Sequence, residues 1–155
     1  MISTLLFGSV DLSATDGLIA FDLSGMWAPM TRRGDFDTIP GRDGQLGYEL
    51  PFDAYQFSVS AVLSGSTEVE LNTRLLALGD ALGSTGGLGT LTRRLASAGG
   101  TTEYTAAGAF GGFSGLQFTG QAVDGPDAWE MTFDLSFTNL DGGWKRTSDN
   151  VWVRP

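Results

Sequence analysis

Trp129-Glu130-Met131-Thr132-Phe133-Asp134-Leu135-Ser136-Phe137, residues 129–137, is the stretch that decides the fold class of this chain. A large apolar side chain stands at every second position, and a charged or hydroxyl side chain fills each position between. That is the period-two pattern of a strand with one buried face. Burying such a face contributes about 1.5–3 kcal/mol per large side chain before entropy is counted. A second segment repeats the pattern. Tyr55, Phe57, Val59, Ala61 and Leu63 face one way, and Gln56, Ser58 and Ser60 face the other.

Weaker strand signals surround these two. Leu88 to Leu95, Thr101 to Thr105 and Leu116 to Val123 read as strands. So do Leu5 to Leu12 and the alternating Leu18 to Leu23, which sits between Gly17 and Gly25. The last two together read as a hairpin. One helix interrupts the strands. Thr67 with Glu70 forms a capping box that satisfies the first helical amides. Leu71, Leu75, Leu78 and Leu82 make one stripe, and Gly83 supplies a C-terminal stop. Val69 and Leu76 lie off that stripe, placed to meet a second surface. The expected class is therefore mainly β with one α-helix, in a single domain over residues 1–155. An extended loop or arm spans about 26–53, where Pro29, Pro40 and Pro51 interrupt regular structure. A C-terminal tail spans about 143–155 and carries Trp144, Val151 and Trp152. It either folds back or docks on a partner.

Composition closes several kinds of chemistry. The 155 residues include no cysteine and no histidine, so disulfides, thiolate metal sites and Ser-His-Asp catalysis are excluded. The 23 glycines and the abundant serine, threonine and phenylalanine suit short strands and turns. Net charge is −9 with only nine lysines and arginines, the wrong balance for gripping phosphates. An acidic wall that DNA slides past stays compatible with it. The N-terminus lacks the basic and long apolar parts of a secretory signal, and no apolar run reaches the roughly 20 residues needed to cross a bilayer. The expectation is a soluble protein made in a cytoplasm, without membrane insertion.

No motif carries catalysis, a cofactor or a metal. Residues 83–89, Gly-Ser-Thr-Gly-Gly-Leu-Gly, follow a helix and end without Gly-Lys-Ser/Thr, so they read as a loop. Residues 108–115 hold five glycines and serines around Phe110 and Phe113. They read as a hairpin connection, with a partner-inserting tip as the alternative. Asp35 and Asp37 lack the continuation of a calcium loop. The lone lysine, Lys145, lies in the tail. Arg32-Arg33 and Arg93-Arg94 are candidates for ion pairs across a subunit interface.

The order of features is more specific than any one of them. Ile39-Pro40-Gly41-Arg42-Asp43-Gly44 precedes the strand with Phe57 and Val59, which ends Leu63-Ser64-Gly65. The leucine helix, then Leu88-Gly89-Thr90-Leu91-Thr92, then a closing strand ending near Leu140-Asp141-Gly142 follow. Over residues 15–142 this resembles the distal tail (minor tail) protein family of long-tailed phages, related to tail tube proteins. The resemblance implies a tail-tube-like β-sandwich or barrel flanked by a helix, and a virion protein assembled in the host cytoplasm. It implies a homo-oligomeric, hexameric ring that joins the tail tube protein to the tail-tip hub and tape-measure proteins. DNA would only transit its channel. Subunit contacts are expected at Ile39, Pro40, Gly41, Arg42, Asp43, Gly44, Arg32, Arg33 and Trp152, with no catalytic residue, cofactor or metal. The alternatives are a tail tube subunit stacking into many rings and, from another class, a carbohydrate-binding β-sandwich module suggested by the four tryptophans.

Overall fold

A computed structural model describes residues 3–27, 37–38, 45–46, 54–84, 86–121 and 129–153. Among them the chain is mostly β, with one α-helix, and the strands form a curled antiparallel sheet. The two segments with the clearest alternation become its centre. β6 (Tyr55–Gly65) and β9 (Trp129–Asn139) pair along their full length, Tyr55 opposite Asn139 and Gly65 opposite Trp129. Phe57, Val59, Ala61, Leu63, Phe133, Leu135 and Phe137 are buried, as their spacing requires.

The remaining strands take their places from pairing that local pattern does not specify. They are β1 (Thr4–Phe7), β2 (Val10–Asp11), β3 (Leu18–Asp22), β7 (Leu88–Ser97), β8 (Gly100–Gln121), β10 (Trp144–Arg146) and β11 (Trp152–Val153). The sheet order is β2-β1-β7-β8-β9-β6-β3, with β10 beside β8 and β11 beside β10. The expected hairpin between the first two segments does not form. Residues 4–11 make their own small hairpin around Gly8, and β1 then pairs with β7, whereas β3 crosses to the far side of the sheet and pairs with β6. A short separate pair, β4 (Asp37–Thr38) with β5 (Gln45–Leu46), lies between β3 and β6 in the chain.

β8 is the largest correction. The glycine cluster at 108–115 does not turn the chain back. It runs through a single 22-residue strand. Gly112 and Gly115 have φ of 110° and 61°, values that a side chain resists. The register with β9 slips between Phe110 and Gly112, between Ser114 and Gln117, and between Phe118 and Gly120. Each slip is a bulge that bends the strand, and the three together curl this half of the sheet. Phe110 and Phe113 are not a partner-inserting tip. Their rings pack edge to face against the core, 5.6 Å from each other, with Phe113 5.3 Å from Phe133.

α1 (Glu68–Gly83) covers the inner face over β6, β8 and β9. The Thr67 hydroxyl accepts from the Glu70 amide, and the Glu70 carboxylate accepts from the Ser66 amide at 2.8 Å. The cap is thus reciprocal but reaches one residue further out than the capping box predicts. Leu71, Leu78 and Leu82 are buried, with Leu75 packed at the margin. The helix ends at Gly83, as expected, though not through a left-handed glycine. Ser84 caps it in right-handed geometry, and Gly86 and Gly87, at φ of 71° and 78°, reverse the chain into β7.

The C-terminal segment folds back. Trp144 is fully buried, and its indole N–H donates to the Tyr55 hydroxyl at 2.6 Å. The Arg93 guanidinium lies 4.8 Å from the Tyr104 ring centre and 5.0 Å from that of Trp144. Arg93 is therefore a buried internal cation, held by two ring faces. Arg94 pairs with Glu103 at 2.8 Å and Asp11 at 3.7 Å. Both arginines of this doublet therefore have partners within the subunit.

Candidate assembly surface

Among the described residues, half of the sheet has two open sides. β3 pairs with β6 and, among the described residues, with no other strand. β8 pairs with β7 only up to Ala109, so residues 111–121 face β9 on one side and no described strand on the other. Such edges present unpaired backbone donors and acceptors to another chain. Each pairing from β3 through β6 and β9 to β8 is antiparallel. Four strands lie between the two open sides, so the two edges run in opposite senses.

Apolar side chains stand along both edges. Ile19, displaced by a bulge between Leu18 and Ala20, is exposed on β3. Leu116 and Phe118 are exposed on β8, and the Phe118 ring lies 5.2 Å from that of Trp129. A Cβ added at Gly79 would meet the Phe113 ring at 3.1 Å, which fixes the flank of α1 that faces β8. Residues 72, 76 and 69 continue along that flank at helical spacing. Val69 at 75 % and Leu76 at 69 % are the most exposed large apolar residues described. The off-stripe position of this pair in the sequence is thus matched by exposure in the fold.

The sheet face opposite the helix is polar. Asp22, Ser60, Asp134 and Ser114 form one row across four strands, and the Ser60 hydroxyl donates to Asp134 at 2.6 Å. The next rows carry Ala20, Val62, Thr132 and Gln117 on one side and Ser58, Ser136 and Gly112 on the other. The Ser24 amide, donating to the Asp22 carboxylate at 2.9 Å, holds its pKa below the ordinary range. No lysine or arginine stands in these rows. A shallow groove of about 440 Å³ crosses this face, lined by Asp22, Ser60, Gln117, Thr132 and Asp134 among others. Among the described residues no three potential metal ligands converge, and no helix is long and apolar enough to cross a membrane.

Most contact residues expected from sequence fall outside the described residues. Ile39, Pro40, Gly41, Arg42, Asp43 and Gly44 follow β4 and precede β5 in the chain, and they lie outside, as do Arg32 and Arg33. Trp152 is described. It stands opposite Lys145 on β11 and is 41 % exposed. Sequence reading missed Ile19, Leu116 and Phe118, and the Asp22–Ser60–Asp134–Ser114 row. The row depends on inter-strand register, which no single segment encodes. The edge residues had a signal in principle, as large apolar side chains within two positions of a glycine.

No family model matches the sequence, and no curated protein matches it. Among solved structures, the chain is similar in fold to the SPP1 Dit (gp 19.1) protein, whose structure is described as a paradigm of the hub adsorption apparatus in phages infecting Gram-positive bacteria. The two are 18% identical with a TM-score of 0.59, and the match covers 94% of this chain and 53% of that one. The chain thus spans about half the length of SPP1 Dit and shares its fold.

Proposed function

We propose that this chain is a structural subunit of a phage tail, forming a ring at the distal end of the tail tube. The observation that carries the reading is the pair of open, opposite-sense sheet edges in a fold shared with SPP1 Dit. A copy rotated about an axis beside the sheet brings its β3 edge antiparallel to the β8 edge of the first. Repeating that head-to-tail contact closes a ring, and six copies is the number the resemblance implies. Leu116, Phe118 and the α1 flank on one side, and Ile19 on the other, would lose their exposure there. The segment with Ile39, Pro40, Gly41, Arg42, Asp43 and Gly44, together with Arg32 and Arg33, would reach a neighbouring subunit, and Trp152 would add a further contact. The polar face with Asp22 and Asp134 would line the channel, where rows that carry no lysine or arginine among the described residues would let DNA pass without sticking. The ring would connect the tail tube to the tail-tip hub and tape-measure proteins.

A tail tube subunit would use the same edges and stack further rings. The groove with Asp22, Gln117 and Asp134 favours a glycan-binding module instead, since carboxylates and amides accept and donate to sugar hydroxyls. Light scattering of the purified chain with negative-stain images separates the three. Closed rings support the distal-ring reading, and long stacks support the tube. A monomer at high concentration that binds glycans refutes both.

A further inference from the structure

The turn that leads into β3 is fastened from an unexpected direction. Asp16 and Gly17 stand immediately before the strand, and Gly17, at φ of 79°, accepts at its carbonyl from the Ser64 amide at 2.8 Å. Ser64 sits near the end of β6, and its own carbonyl accepts from Arg74 Nη1 at 2.7 Å. Arg74 comes from the second turn of α1. Its Nη2 pairs with Glu70 at 2.8 Å, and its Nε lies 3.5 Å from the Asp16 carboxylate. A Cβ at Gly17 would sit 2.6 Å from Arg74 Cδ and 2.8 Å from the Ser64 carbonyl oxygen. One guanidinium thus ties three elements together beside a short edge strand whose register with β6 already slips between Leu18 and Ala20.

We propose that Arg74 is a positioning residue for assembly: it latches the turn before β3 to α1 and β6, and so holds the β3 edge in the register that receives a neighbouring copy. The inference rests on the reading that β3 joins subunits. Arg74 reaches the turn through Ser64, whose carbonyl takes Nη1 while its amide donates to the Gly17 carbonyl, and through its aliphatic stem packed over Gly17. Asp16 has a side chain 87% exposed, and such a pair contributes little.

The test uses the full chain with Arg74→Met, which keeps the aliphatic stem over Gly17, and Arg74→Lys, which keeps the charge. Amide exchange is measured for residues 18–22 and 133–137, alongside light scattering over a concentration series. Losing a charge-assisted bond to a carbonyl should speed β3 exchange about tenfold or more while residues 133–137 keep their rates. The concentration for half-assembly should rise by about the same factor, because the competent register is populated less. Arg74→Lys should recover part of both, and Gly17→Ala should reproduce the loss by displacing the turn. Wild-type β3 exchange in Arg74→Met overturns the latch, as does equal acceleration at 133–137. Fast β3 exchange with unchanged assembly overturns the positioning role. A wild-type chain that stays monomeric at every concentration refutes the ring reading itself, and β3 exchange still judges the latch.

Discussion

Trp144→Phe should destabilise the fold by about 2–3 kcal/mol. The indole N–H lost in this variant donates to the Tyr55 hydroxyl at 2.6 Å, and an intramolecular hydrogen bond of this kind is worth about 0.5–1.5 kcal/mol. The second ring vanishes from a fully buried site. A void of roughly 35 Å³ at about 24 cal/mol per Å³ costs about 0.8 kcal/mol. The smaller ring also offers Arg93, now 5.0 Å from the Trp144 ring centre, a weaker face, a loss of about 0.5 kcal/mol. Tyr55→Phe alone should cost about 1 kcal/mol, since it removes the acceptor and leaves the ring contact with Phe57. The two substitutions share one bond, so the double variant should fall short of the summed singles by about 1 kcal/mol. Urea unfolding of the four proteins, with unchanged slopes, supplies the cycle. Additive losses would show that Trp144 acts by bulk alone, and the tie between the C-terminal segment and β6 would have to be abandoned.

The same tyrosine gives a pH signature. Burial raises the Tyr55 pKa above its ordinary value, against the smaller opposing pull of the bonds from Trp144 and Asn139 and the charge of Arg93. An acid whose folded pKa is raised contributes its full stability below the unfolded value, about 10, and loses it as pH rises through the folded one. Unfolding free energy should therefore fall above about pH 10 in the parent and fall less in Tyr55→Phe; superimposable alkaline limbs would contradict this. Gly108→Ala should cost about 1–3 kcal/mol in thermal or urea unfolding, because its Cβ would stand 2.4 Å from two carbons of buried Leu91; a loss below about 0.5 kcal/mol would mean the strand pair gives way more easily than a packed core should. Leu116→Lys should leave the monomer within about 0.5 kcal/mol of the parent while abolishing assembly, and rings that survive it would remove the β8 edge from the interface. Replacing both Arg32 and Arg33 by serine should weaken assembly roughly tenfold at low salt, with the difference fading at about 0.5 M salt; equal assembly at all salt concentrations would discard them as contacts.

Local pattern was enough for β6, β9 and α1 and not for their neighbours. β6, β9 and α1 each carry a period that only one secondary structure satisfies, so their burial could be read from residues 55–63, 67–83 and 129–137. The hairpin expected of β1 and β3 failed because adjacency in sequence is a weak guide to pairing. β3 finds β6 through Ala20 against Val62 and Phe21 against Ala61, contacts that neither segment announces alone. β8 misled for another reason. Glycine signals turns and bulges equally, and residues 108–115 use it for bulges because β9 offers a complete partner across the cluster. The assembly surface was the least legible part. An edge is defined by which strand is absent beside it, and that is a property of the whole sheet.

The placement of the cations sharpens what the outer face can do. Arg74 binds Glu70 and Ser64, Arg94 binds Glu103, and Arg146 binds Asp149. Arg93 is buried between two rings. Four arginines are therefore engaged inside the subunit. Phosphate contact needs cations free to meet it, and the rows carrying Asp22, Ser60, Asp134 and Ser114 have none to offer. Composition alone, nine basic residues against eighteen acidic ones, does not produce that separation; nine cations spread evenly would leave some on every face. The fold instead ties these four into contacts within the subunit, and leaves hydroxyl and carboxylate groups on the described sheet surface, which the proposed ring would turn toward its channel.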